Sequence, residues 1–296
     1  MSASPPEAAG SGAATPSRAG AGLAPLLPLA IALAALGATV LIPNLYSDPN
    51  GLDPYGLRMS AMALALLGVT VAVPQLAPWR RVFVSLVIIT VAWSAFLGAP
   101  DLLSHLGVQE TGDQANLYAS VAWCGATALI LGLSWLALRR DRPTLRLRHL
   151  GRGALWVSLG GTLLFFLAVM LIPASLLGRQ GLPVIAVARD APWLVPANLL
   201  QGLAQELQFR GLLLGSLEKL TTPRRANAAQ AVVFGLAHLA IVYQGPIAPF
   251  VPITMVLGFL LGLATQRTRS LWPAVIIHGI ADVAATLGVL PGLYGY

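Results

Sequence analysis

The sequence predicts an all-α polytopic membrane protein, a helical bundle of about eight or nine transmembrane helices. Three observations carry that expectation. Of 296 residues, 56% are hydrophobic and only 10% charged, whereas a soluble domain is about 25% charged. The apolar residues gather into segments close to the ~20 residues needed to cross a ~30 Å hydrocarbon core. The cations alternate between the loops in the way a membrane topology requires. A soluble domain, a disordered chain and a nucleic-acid module are thereby excluded, because the formal charge of +7 is not collected into one solvated basic domain. A single cysteine, Cys124, excludes an intramolecular disulfide framework and a cysteine-rich metal knuckle.

Residues 1–22 are Ala, Gly, Ser and Pro with few bulky apolar groups and read as a disordered tail. The first apolar stretch, 23–46, is too long for the core of a cleaved signal and reads as a retained helix. Further apolar segments follow at 57–77, 82–98, 117–138, 154–178, 193–219, 227–243, 249–266 and 271–290. Lipid offers the backbone no hydrogen-bond partner, so these segments are helices. Those at 82–98 and 227–243 are short, as a tilted or partly re-entrant segment would be. Two regions follow: N-terminal helices over 23–192 that carry no readable motif, and a core over 193–296 that carries the chemistry.

With the N-terminus cytoplasmic, fourteen of the eighteen cations fall in cytoplasmic segments. Arg58, Arg179 and Arg189 lie on the opposite side and Arg210 lies within a helix. The chain is expected in a bacterial cytoplasmic membrane, its partners the lipid bilayer and a membrane peptide or protein, with no nucleic acid. The arginine run from Arg139 to Arg152 reads as a membrane-proximal anchor on anionic lipid.

Once the loops are assigned, five ionisable residues remain inside helices: Glu206, Arg210, His238, His278 and Asp282. A charge at the bilayer centre costs roughly 2.5–3.5 kcal/mol on insertion scales, so such groups face a protein interior and find partners. All five lie eight to thirteen residues from the cytoplasmic ends of their helices, about 12–20 Å deep at about 1.5 Å per residue. Three helices thus place their ionisable groups in one layer. Glu206 and Arg210 are four apart, as are His278 and Asp282, so each pair shares a helix face. The second spacing lets a carboxylate orient an imidazole and set its tautomer. Phe234 stands four before His238 and supplies an aromatic wall.

Other intramembrane chemistries lack their minimum parts. An aspartyl protease needs two intramembrane aspartates and only Asp282 qualifies; no HExxH zinc helix and no GxSxG elbow is present. Gly211 with Gly215, and Gly258 with Gly262, have the spacing of close helix packing. An ion-coupled transporter with a midplane site is an alternative, although no internal repeat supports it.

The motifs resemble those of the CPBP intramembrane protease family, which includes the CAAX prenyl endopeptidases. Its EExxxR, FxxxH and HxxxN signatures are matched by Gln205-Glu206 with Arg210, by Phe234 with His238, and by His278 with Asp282. The resemblance covers roughly residues 193–290. It implies a membrane-embedded endopeptidase in which water is activated by a glutamate and His238, while His278 and its i+4 partner stabilise the oxyanion. Two positions depart from the family pattern. The glutamate that the resemblance implies as general base is Gln205, whose amide cannot accept a proton, and Glu206 matches the second glutamate, whose implied role is pairing with Arg210. Asp282 replaces Asn, an acceptor in place of an amide donor. A proteolytically inactive member that binds or scaffolds membrane proteins is therefore the main alternative. No cofactor is required. Zinc on Glu206, His238, His278 and Asp282 is the possible exception.

Overall fold

The structure, a computed structural model, describes residues 54–108, 112–137, 145–147, 150–171, 188–238 and 250–288. The expected tail over 1–22, the helix over 23–46 and the arginines 139, 140, 142, 148 and 179 lie outside the described residues.

Every regular element among the described residues is helical. Helix α1 spans Pro54–Ala72, a 3-10 segment spans Pro74–Trp79, and α2 spans Arg80–His105. Helix α3 is Gly112–Ala137 and α4 is Arg152–Leu171. Next comes one continuous rod in three parts: α5 (Leu194–Glu206), a π-helical stretch (Leu207–Leu213) and α6 (Leu214–Leu217). Helices α7 (Pro223–Ala237), α8 (Phe250–Thr268) and α9 (Trp272–Gly288) complete the described elements. The stretches Pro74–Pro100, Gly112–Leu136 and Val251–Thr268 are long and apolar enough to cross a membrane. The segment expected to be short at 82–98 lies within 26-residue α2, long enough for a full span. Of the one at 227–243, residues 227–237 belong to α7 and 239–243 lie outside the described residues.

The rod from Leu194 to Leu217 is the axis of the bundle. Helix α5 packs against α3 on one side and α9 on the other, while α2 lies along the π stretch. Helix α9 also touches α4 and α8, and α8 packs along α7. Over 208–214 the rod is buried because its neighbours supply apolar faces: Phe209, Leu213, Leu214 and Leu217 cluster with Phe83, Leu86 and Phe234. Higher up, Trp93 and Trp123 meet edge to face at 4.7 Å over Ala204. Side chains on the outside are also apolar, as on α4, where Trp156 is 72% exposed among exposed Leu159, Leu163 and Leu167. An exterior of this kind belongs against lipid.

Without a hydrophobic difference between lipid and protein, helix pairing in a membrane leans on small residues and polar side chains. Both are present. Gln201 donates to Asn116 Oδ1 and Ser120 Oγ on α3, and Gln208 donates to Thr127 Oγ1. Thr286 of α9 donates to Asn198 Oδ1 of α5. On α8, a Cβ at Gly258 would stand 2.8 Å from the Phe234 ring, and one at Gly262 would collide with Asn227. That glycine pair is therefore a packing stripe against α7.

Candidate active site

The site is built where α5 runs into the π stretch. Glu206 is the last residue of α5, fully buried, and its Oε1 receives Arg210 Nη1 at 2.6 Å. The same oxygen faces His278 Nδ1 of α9, also at 2.6 Å. The other imidazole nitrogen of His278, Nε2, faces Asp282 Oδ1 at 3.3 Å. One imidazole is thus flanked by two carboxylates, and the closer one comes from a different helix. Protons must sit on both nitrogen–oxygen lines for both contacts to be hydrogen bonds.

Phe234 joins the two histidines. Its ring lies 4.7 Å from that of His238 and 5.5 Å from that of His278, edge to face in each case. The Arg210 guanidinium carbon stands 4.1 Å from its centroid, a cation–π contact of about 2 kcal/mol in a desolvated site. His238 is the C-cap of α7, and its Nδ1 bonds the Phe234 carbonyl at 2.7 Å. A carbonyl only accepts, so Nδ1 carries the proton and a neutral ring keeps its lone pair on Nε2.

The five intramembrane ionisable residues therefore fall in one place. Glu206, Arg210, His278 and Asp282 form a connected chain, and His238 joins them across Phe234. Gln205 is also buried, but no hydrogen bond joins it to this cluster among the described residues. Within the cluster, Glu206 Oε2, Arg210 Nε and Nη2, and Asp282 Oδ2 are buried with no partner among the described residues. An unsatisfied buried polar atom costs about 1–3 kcal/mol, and four of them lie in this one cluster.

His278 has both nitrogens turned to carboxylates and Glu206 Oε1 already serves two cations or donors. Among the described residues no group of three or more His, Cys, Asp or Glu is placed to hold a metal ion.

Three supports of the site are not evident from motif spacing. The π stretch Leu207–Leu213 adds a residue to the turn that carries Arg210; such bulges recur at functional sites. Gly258 stands under the guanidinium, where a Cβ would come 3.3 Å from Arg210 Nη2. Gly202 and Gly279 let α5 and α9 touch backbone to backbone, since a Cβ on Gly202 would lie 2.7 Å from the Gly279 Cα. That contact brings Glu206 within reach of His278. Gly279 directly follows a motif histidine, which was the available hint; nothing in the sequence marks Gly202 as its partner.

A direct consequence is that Gly202→Ala pushes α9 away from α5. Overpacking of this kind costs about 1–3 kcal/mol, and an ångström of misplacement costs about 10²-fold in rate. Thermal unfolding in detergent and a cleavage assay read the two effects. Gly68→Ala, with nothing within 4 Å of its Cβ, serves as the silent control.

Comparison with known proteins converges on the same helices. Residues 187–284 match the family model described as Type II CAAX prenyl endopeptidase Rce1-like. A Bacillus subtilis (strain 168) protein named "Putative membrane peptidase YdiL" is 23% identical over 215 residues, covering 66% of this chain and 83% of the relative. No solved structure matches the chain.

Proposed function

We propose that this chain, whose residues 187–284 resemble the Rce1-like CAAX prenyl endopeptidases, hydrolyses a peptide bond of a membrane-associated peptide or protein through an activated water. The observation that carries this reading is the buried cluster of unsatisfied polar atoms around Glu206 and Arg210, with His238 held beside it by Phe234.

The roles follow from which atoms are free. Glu206 Oε1 is committed to Arg210 and His278, which leaves Oε2 to orient a water. His238 keeps a lone pair on Nε2 and takes the proton as that water attacks the peptide carbonyl. The oxyanion that forms needs donors aimed at it in a dry site. Arg210 Nη2 is one without a competing acceptor among the described residues. His278 Nε2 can join it by leaving Asp282, a long contact at 3.3 Å. The proton on His238 then passes to the leaving amine, so no covalent intermediate and no metal is needed. The substrate resides at the bilayer, and the arginine-rich ends of the helices face the cytoplasm of a bacterial cell.

Gln205 supports a second reading, a proteolytically inactive binding or scaffolding protein, since an amide stands where the family resemblance places the base. One experiment separates the two. Cleavage of a membrane-protein substrate is measured for the wild type and for Gln205→Glu, each with a metal chelator present. Activity in the wild type that persists under chelation supports the endopeptidase, and the added carboxylate raises it by up to about 10²-fold. Cleavage that exists only in Gln205→Glu establishes the inactive reading.

A further inference from the structure

At the arginine-rich end of the bundle, away from the cluster described above, the chain forms an open cavity of about 690 Å³. Its walls come from four separate stretches: Arg146 and Leu147 before α4, Glu218 after α6, Pro223 of α7, and Gln266 and Arg269 of α8 and its end. Arg146 and Arg269 are the two non-glycine residues with positive φ among the described residues, at 52° and 53°. L residues avoid that region, and the surrounding structure must hold them there. It does so at Arg146: the Arg146 carbonyl accepts from Leu271 N at 3.0 Å, and its guanidinium Nη2 pairs with Glu218 Oε2. Leu145, one residue earlier, lies against Gly211 of the π stretch.

The polar balance of the cavity favours an anion. Glu218 is the only acid among its lining residues, and both its oxygens are engaged, Oε2 by Arg146 and Oε1 by Gln266 Nε2 at 2.7 Å. The second guanidinium nitrogen of Arg146, Nη1, is buried with no partner among the described residues. Arg269 is exposed and likewise carries no ion pair or hydrogen bond there. Two guanidinium groups in strained backbone, with one neutralised acid between them, leave a net positive pocket. Guanidinium forks match phosphate oxygens in geometry. Leu147 and Pro223 add an apolar wall at the same mouth.

We propose that this cavity binds a phosphate group through Arg269 and Nη1 of Arg146, supplied either by an anionic lipid headgroup or by a free phosphate. The site is independent of the proteolytic reading, since none of its residues belongs to the Glu206 cluster.

The test uses the full-length protein in a phosphate-free detergent, with native mass spectrometry for retained lipid and thermal unfolding for ligand protection. The probes are phosphatidylglycerol, a phosphate-free glycolipid of the same acyl chains, and inorganic phosphate. The wild type is expected to retain phosphatidylglycerol over the glycolipid, or to be protected by inorganic phosphate alone. Lipid retention without phosphate protection identifies the source as a headgroup, and protection by inorganic phosphate identifies a free anion. Arg269→Gln weakens either effect about tenfold, the size of one lost charge-assisted hydrogen bond. Arg269→Gly removes the same charge and relaxes the positive φ, so it loses the ligand while gaining thermal stability without it. Arg189→Gln, at an exposed ion pair with Asp190 away from the cavity, leaves binding unchanged. Equal retention of the two lipids with no phosphate protection overturns the proposal. So does unchanged binding in Arg269→Gln, or an equal loss in Arg189→Gln.

Discussion

His238→Ala lowers peptide cleavage by about 10²–10⁴-fold, the usual weight of a general base, while the protein remains folded. The substitution removes the Nε2 lone pair and the bond from Nδ1 to the Phe234 carbonyl. Helix α7 ends at this residue in any case, so the lost bond frays a terminus and does not break a helix. The Phe234 ring keeps its contacts with Phe209 at 5.1 Å and with Arg210. A rate assay and a thermal unfolding curve on the same preparation separate the two effects. Rate loss with little change in Tm is the expected pattern. Equal loss of both identifies His238 as a packing residue.

The second large effect is on stability. Glu206 and Arg210 are each fully buried, and Glu206 Oε1 is the acceptor that Arg210 Nη1 has. Removing one partner of such a pair strands the other charge, at about 3–5 kcal/mol. Glu206→Ala therefore destabilises strongly, because it strands Arg210 and takes the nearer carboxylate from His278. The double variant Glu206→Leu with Arg210→Met puts apolar side chains of similar volume in place of the pair. It recovers most of the lost stability, since well-packed apolar replacements of buried ion pairs are often neutral or better. It stays inactive, because Oε2 and Nη2 are gone with the pair. Unfolding of the single and double variants in detergent measures the coupling directly. A double variant as unstable as Glu206→Ala would show that the cluster is needed for the fold.

These two expectations rest on features of unequal legibility. The pair Glu206–Arg210 was visible as an i,i+4 spacing on an apolar helix, and the structure places it at 2.6 Å. The scarcity of charge made the layer visible: few ionisable residues lie inside the helices, so their common depth stood out. The partner of His278 was half visible. Spacing pointed to Asp282, which lies 3.3 Å from Nε2, but the nearer carboxylate is Glu206 at 2.6 Å from Nδ1. A contact between helices more than seventy residues apart depends on which helices abut, and hydropathy does not carry that. Gly202 against Gly279 decides it.

Phe234 was legible as a neighbour of His238 and illegible as a hub. Its contacts with His278, Phe209 and Arg210 come from two other stretches of the chain, the π stretch and α9. The π stretch was likewise hidden, because Leu207–Leu213 reads as an ordinary apolar helical run with one buried arginine. The glycine spacings gave the opposite lesson: Gly258 and Gly262 pack α8 on α7, as their spacing suggested, and Gly258 also floors the site. Position Gln205 remains the point at which family pattern and residue chemistry diverge, and it directs attention to His238 as the base.

The central claim is that the Glu206–His278–His238 cluster cuts a peptide bond at the membrane. The most direct measurement compares protein termini in membrane fractions from cells carrying the wild type, His238→Ala or His278→Ala, each variant produced at wild-type level. A new terminus near a transmembrane segment, present with the wild type and absent with both variants, is the predicted result. The same set of termini in all three strains would contradict it.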